Sequence, residues 1–226
     1  MDDPNRIALQ LVARGLGEMV EEVVFVGGAV AGVLITDSST ARIRATKDVD
    51  CIVEVSTRSE YDSRIRDRLL KCGFHELIGE GIPICAWQKD GIRLDVMPTN
   101  EAILGFSSPW YTGAIKTAER TDIGGIEICV ISAPYFLATK LVAFKSRGRG
   151  DFLTSHDIED VIAVVDGRQS LPDEVMAADE TVKAFIQTEI KMLLSNDNFL
   201  SALPGLVLDT GRDAIVRERL TTITNG

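Results

Sequence analysis

Along the chain, apolar and polar positions alternate in two different rhythms. Ile7, Ala8, Leu11, Val12, Leu16 and Met19 recur at helical spacing and predict a helix over 5–20, with Asp2, Asp3 and Pro4 suited to its start. Val23-Val24-Phe25-Val26 is a short apolar run closed by Gly27-Gly28, which reads as a buried strand and a tight turn, and Ala29 to Ile35 reads as a short helix. Residues 36–47 are polar and loop-like. From Asp48 to Val55 the period becomes two: Val49, Cys51, Val53 and Val55 fall on one face and Asp48, Asp50, Ile52 and Glu54 on the other. Arg58 to Cys72 predicts a charged amphipathic helix closed by Gly73. Ile84–Lys89 and Ile92–Met97 predict a hairpin around Asp90-Gly91. Trp110 to Ala118 predicts a helix, and Gly124-Gly125 a second hairpin ending in 126–131.

At Pro134 the pattern turns helical throughout, with helices expected over 134–146, 155–166, 173–195 and 212–222 and breaks at Gly148, Gly150, Gly167 and Gly205. The expected architecture is α/β (α+β): a mixed, mostly antiparallel sheet with flanking helices over residues 1–132, then a helical half over 133–226 that closes over the cleft. The chain has 226 residues, 45% hydrophobic and 26% charged, enough to bury a core without disulfides or metal staples. No apolar run approaches the roughly 20 residues of a membrane span, and the acidic Met1-Asp2-Asp3-Pro4 is not the basic start of a signal peptide. The expectation is a cytoplasmic protein with no membrane contact. The cysteines, Cys51, Cys72, Cys85 and Cys129, contain no CxxC pair and are expected as reduced thiols, mostly buried. A net charge of −10 argues against broad nonspecific nucleic-acid binding. The basic residues are nonetheless clustered: Arg42, Arg44 and Lys47 in one stretch, Lys140, Lys145, Arg147 and Arg149 in another.

Three aspartates change the picture. Asp48 and Asp50 flank Val49, and residues i and i+2 of a strand share a face. Asp95 lies on a later strand, within Arg93-Leu94-Asp95-Val96-Met97. If the two strands are neighbours, three carboxylates meet. Their mutual repulsion is resolved by a hard divalent cation, Mg²⁺ or Mn²⁺, which prefers carboxylate and phosphate oxygens. Two such ions can activate an attacking oxygen and stabilise a leaving pyrophosphate. Asp48 and Asp50 would hold metal and triphosphate, and Asp95 would complete the second metal beside the attacking hydroxyl. Gly27-Gly28, between strand and helix, lets backbone N–H groups approach phosphate oxygens. Taken singly, each feature has an ordinary structural explanation; their order along the chain is what points to chemistry.

That order resembles the polymerase-β-like nucleotidyltransferase superfamily: a Gly-Gly turn (Gly27-Gly28), an Asp-x-Asp pair (Asp48-Val49-Asp50) and a third acid on a later strand (Asp95). Within it the chain is most similar to the abortive-infection toxins of type IV toxin–antitoxin systems, through Arg44-Ala45-Thr46-Lys47-Asp48-Val49-Asp50, Phe136-Leu137-Ala138-Thr139-Lys140-Leu141 and His156-Asp157-Ile158-Glu159-Asp160-Val161. The resemblance spans roughly 20–166. It implies nucleotide contacts from Gly27, Gly28, Thr46, Lys140 and Asp157, catalysis at Asp48, Asp50 and Asp95, an NTP substrate, an RNA or tRNA acceptor, and a cognate antitoxin. Two departures stand out: His156 precedes Asp157 where relatives often carry a stronger base, and Gly27-Gly28-Ala29 offers the phosphates no hydroxyl.

Competing readings have less support. His75 and His156 are too few for a zinc site, no strained-turn serine accompanies them, and no GxxxxGK[ST] is present. Trp87, Trp110 and Tyr111 are candidates for stacking on a base. The expected reaction is attack by an acceptor hydroxyl on the α-phosphate of an NTP. The alternatives are a small aminoglycoside-type acceptor, favoured by the acidic balance, and a non-catalytic binding module of the same fold.

Overall fold

The computed structural model describes residues 4–37, 43–148, 150–207 and 211–225. Arg42 and Arg149 of the two basic clusters, and Asp2 and Asp3 at the expected helix start, lie outside them. The chain forms two compact units: residues 1–30 with 45–132, and residues 31–44 with 133–226.

The first unit is built on a seven-stranded mixed sheet. Its strands are β1 (Val24–Val26), β2 (Asp48–Val53), β3 (His75–Glu76), β4 (Ala86–Lys89), β5 (Ile92–Pro98), β6 (Glu119–Asp122) and β7 (Glu127–Val130), in the order β3-β4-β5-β2-β1-β7-β6. Four neighbouring pairs are antiparallel, while β1–β7 and β2–β5 are parallel. The period of two read in the sequence decides what each face carries. Phe25, Val49, Cys51, Trp87, Leu94 and Val96 are all 1% exposed or less and share one face. The other face carries Val24, Val26, Asp48, Asp50, Ile52, Ala86, Gln88, Arg93, Asp95 and Met97. Asp90 (φ 51) and Gly91 (φ 80) make the β4–β5 turn, the left-handed pair that a two-residue hairpin needs.

Helix α1 (Pro4–Leu16) buries Asn5, Leu9, Val12, Ala13 and Leu16. The short α2 (Ala31–Leu34) belongs to the other unit. The helix expected over 58–72 is α3 (Arg58–Glu60), a wider π turn (Tyr61–Arg66) and α4 (Asp67–Lys71). The Tyr61 hydroxyl donates to the Val96 carbonyl at 2.8 Å and ties this stretch to β5. Two short helices follow β5, α5 (Glu101–Leu104) and α6 (Tyr111–Lys116).

The second unit is helical: α7 (Ala133–Ala143, running on through Phe144–Gly148), α8 (His156–Gly167), α9 (Leu171–Ala177), α10 (Glu180–Leu194), α11 (Asp197–Leu206) and α12 (Asp213–Asn225). The single helix expected over 173–195 is two, because Asp179 turns the chain and caps α10 by accepting the Thr181 N–H at 2.9 Å. α11 was hidden by Pro204 and Gly205 near its end; Asn196 caps its start by accepting from the Asn198 and Phe199 N–H groups. Residues 31–37 join this unit through α8: the Thr36 N–H reaches the Gly167 carbonyl at 3.0 Å, Arg168 donates to the Leu34 carbonyl, and Arg212 bridges Asp166 and Asp37. Among the described residues no helix is long and apolar enough to cross a membrane.

Candidate functional site

The parallel pairing of β2 with β5 sets Asp50 directly beside Asp95, and Asp48 beside Arg93. Side chains at paired positions of neighbouring strands share a face, so Asp48, Asp50 and Asp95 share one patch of sheet. Gly27 closes on it from the end of β1. Its φ of +73° is left-handed, and a Cβ there would lie 2.0 Å from the Asp50 Oδ2. Only glycine allows the β1 turn to approach that carboxylate so closely. Gly28 opens a three-residue 3-10 turn, Gly28–Val30. A helical run that short has little dipole to offer an anion, so the phosphate contact expected of this turn depends on its backbone N–H groups.

Arg93 is the residue that sequence reasoning missed. Its Nε donates to Asp95 Oδ1 at 2.7 Å and its Nη2 to Oδ2 at 2.5 Å, a bidentate fork. The signal was present: Arg93 stands two residues before Asp95 and so shares its face. Arg93 takes up both Asp95 oxygens, and among the described residues no three His, Cys, Asp or Glu side chains are arranged to hold a metal ion. The donor set still suits a hard cation by its chemistry: oxygen ligands only, acidic, and on one face. The buried thiols nearby are poor competitors. Burial, then the Asp95 and Asp50 charges, push Cys85 up to about 12. Burial, then Asp50 and Asp95, raise Cys51 as well. Both therefore stay protonated near neutral pH.

Thr46 is engaged inside the protein. Its hydroxyl donates to the Asp48 carbonyl at 3.0 Å, and its backbone N–H donates to Asn5 Oδ1 at 2.9 Å. Of the three aromatics, Trp87 is 1% exposed and paired with Leu94, on the face opposite the aspartates. Tyr111 is on the aspartate side: its hydroxyl donates to the sulfur of Met97, two residues beyond Asp95, at 3.4 Å.

Lys140 and Asp157 lie in the helical unit, inside an ion cluster. The Lys140 ammonium is 2.6 Å from Asp160 Oδ2 and 3.3 Å from Asp157 Oδ1. Arg147 forks onto Asp157 with two 2.8 Å hydrogen bonds, and Arg44 reaches Glu159 at 3.6 Å and Asp160 at 3.9 Å. The Lys140 side chain is only 9% exposed, against 71% for Arg147. Burial raises the Asp157 carboxyl, but Arg147 and Lys140 outweigh it and hold the group below its ordinary value. His156 faces Glu159 at 3.3 Å.

No protein-family model and no curated protein matches the chain. Solved structures do. A crystal structure of an antigenic nucleotidyltransferase-like protein from Paracoccidioides brasiliensis is 21% identical, with a TM-score of 0.55, over 89% of this chain and 94% of that one. The solution structure of the antibiotic-resistance factor ANT(2'')-Ia is 14% identical, with a TM-score of 0.50, over 82% of this chain and 90% of that one. At these identities the likeness is one of fold, and the fold is nucleotidyltransferase-like.

Proposed function

We propose that this protein is a metal-dependent nucleotidyltransferase that moves a nucleoside monophosphate from an NTP to an acceptor hydroxyl. One observation carries the reading: Asp50 and Asp95 at paired positions of parallel strands, with Asp48 on the same face and Gly27 pressed against the Asp50 carboxylate. Two proteins of the same fold, a nucleotidyltransferase-like protein and an antibiotic-resistance factor, support it.

Asp48, Asp50 and Asp95 would hold a divalent cation, which when bound supplies positive charge to the triphosphate and acidifies the attacking hydroxyl. The chain's own residues do the rest. The turn after β1 offers backbone N–H groups to phosphate. Asp95, as a carboxylate, can take the proton of the incoming hydroxyl. Arg93 orients that carboxylate through its bidentate hydrogen bonds.

For the acceptor, the resemblance points to RNA, tRNA in a toxin-like role restrained by a cognate antitoxin. A second reading, a small polycationic acceptor of the aminoglycoside type, is favoured by a specific observation. Four of the five described residues of the two basic clusters are engaged with carboxylates, Arg44 with Glu159 and Asp160, Lys140 with Asp157 and Asp160, Lys145 with Glu189 and Arg147 with Asp157, while Lys47 is exposed. The net charge is −10. The experiment is incubation with Mg²⁺ and each α-labelled NTP, with total RNA in one arm and an aminoglycoside panel in the other, beside an Asp48→Ala/Asp50→Ala control. Label on RNA lost in the control establishes the first acceptor, and label on a drug the second. No label in either arm sinks the transferase reading.

A further inference from the structure

The loop that leads into β2 is held by a residue far away in sequence. Asn5, in the first turn of α1, is 1% exposed. Its Oδ1 accepts the Thr46 N–H at 2.9 Å and lies 3.4 Å from the Thr46 hydroxyl. That hydroxyl donates in turn to the Asp48 carbonyl at 3.0 Å. Asn5 thus reaches the first carboxylate-bearing residue through one intermediary.

Burying a side-chain amide is costly unless its polar atoms are satisfied, and the other buried positions of α1 are apolar: Leu9, Val12, Ala13 and Leu16. An amide among them points to a task that an apolar side chain cannot perform. The task is visible in the strand pairing. Residues 43–47 belong to no helix or strand, and the ladder with β5 begins at Asp48 opposite Arg93. The entry to β2 thus lies just ahead of that ladder, where the Asn5–Thr46 hydrogen bond reaches it. Because strand side chains alternate, a slip of one residue would turn Asp48 and Asp50 to the apolar face.

We propose that Asn5 is a positioning residue for the aspartate pair: acting through Thr46, it fixes where β2 starts and so how Asp48 and Asp50 are presented to a divalent cation. This deepens, and rests on, the metal-dependent reading. It also gives Thr46 a role in holding the strand entry.

The test uses the full chain and Mn²⁺ as the probe, with bound metal followed by electron paramagnetic resonance and backbone amides 46–50 by hydrogen exchange. The variants are Asn5→Leu, close in size but without the acceptor, Thr46→Val, and the conservative Thr46→Ser, with Asp48→Ala/Asp50→Ala as the site control. Asn5→Leu and Thr46→Val are expected to bind Mn²⁺ about tenfold more weakly, the usual scale for residues behind metal ligands. Their amides 46–50 should exchange faster while far-ultraviolet circular dichroism is unchanged. Thr46→Ser, which keeps the hydroxyl, should restore binding to within about threefold. If Asn5→Leu does not fold, the Thr46→Val and Thr46→Ser pair carries the same comparison. Folded variants that bind Mn²⁺ like the wild type, with unchanged exchange at 46–50, overturn this inference alone. A wild-type protein with no Mn²⁺ binding dependent on Asp48 and Asp50 overturns the metal-dependent reading, and this inference with it.

Discussion

The two units treat charge in opposite ways. On the sheet face of the first unit, the aligned positions of β2 and β5 carry three aspartates and one arginine. In the helical unit, Arg44, Lys140 and Arg147 stand against Asp157, Glu159 and Asp160, three cations to three anions. The first arrangement has an acidic excess, the second is balanced. An excess of like charge on neighbouring strands costs free energy, and the cost falls when a cation arrives. A balanced cluster around the buried Lys140, Asp157 and Asp160 is worth little more than its apolar equivalent while whole, but is costly to break. Under the proposed metal-dependent reading the sheet face is where a cation would bind, whereas the helical cluster is a place where removing one partner harms folding first.

The largest expected effect falls on the sheet face. Asp48→Ala/Asp50→Ala should lower nucleotide transfer about 10³-fold, roughly 4 kcal/mol in the barrier, with little loss of stability because the change relieves repulsion. Urea unfolding run beside the label-transfer assay separates the two quantities. A variant as active as the wild type would leave these carboxylates a structural role only. The helical cluster should respond the other way. Lys140→Met leaves Asp160 and Asp157 buried without their ammonium partner, and should cost about 3 kcal/mol in urea unfolding. Adding Asp160→Leu should recover most of that loss, and failure to recover would show that Lys140 does more than balance charge.

Gly27→Ala sits between these cases. The φ of +73° strains any L side chain by roughly 1–2 kcal/mol, and the new Cβ would press on the Asp50 side chain: Oδ2 at 2.0 Å, Cγ at 2.8 Å and Cβ at 2.9 Å. The expected outcome is a stability loss of about 2 kcal/mol with weaker Mn²⁺ binding, since Asp50 must move. Gly17→Ala is the control for backbone strain alone, because its φ is +56° and nothing lies within 4 Å of its Cβ position.

Local rules explain why some of this was legible in the sequence. The alternation over 48–55, the Asp90-Gly91 turn and the Gly27-Gly28 break depend on residues within a few positions of one another, and β2, the β4–β5 hairpin and the turn after β1 stand where those signals put them. That Asp95 would come beside Asp50 was conditional on β2 and β5 pairing, which the topology supplies. Where partners are remote, the sequence was silent. Nothing near Asn5 announces Thr46, 41 residues away. The grouping of residues 31–44 with the helices depends on contacts such as Thr36 to Gly167 and Arg212 to Asp37. In sequence Lys140 is a basic-cluster residue with a nucleotide contact implied by resemblance; only the fold of α7 and α8 shows its ammonium sunk between two aspartates.

The finest separation between the two regions comes from acid. Asp157 is held below its ordinary value of 3.8 although burial opposes this, because Arg147 and Lys140 stabilise the carboxylate. A carboxyl whose folded pKa is depressed contributes stability that is fully present above its unfolded value and is lost as pH falls through the folded one. Asp157→Asn removes the charge and the titration while nearly preserving shape. At neutral pH the variant should be about 1–2 kcal/mol less stable than the wild type, the scale of a lost charge-assisted hydrogen bond. As the pH falls below about 3.8 the wild type loses the same contribution, and the two unfolding curves should converge. Parallel curves across that window would mean that Asp157 has the same proton affinity in the folded and unfolded chains. The ion cluster would then hold the helices together by shape and hydrogen bonding, with no net charge stabilisation, and the contrast with the acidic sheet face would rest on Asp48, Asp50 and Asp95 alone.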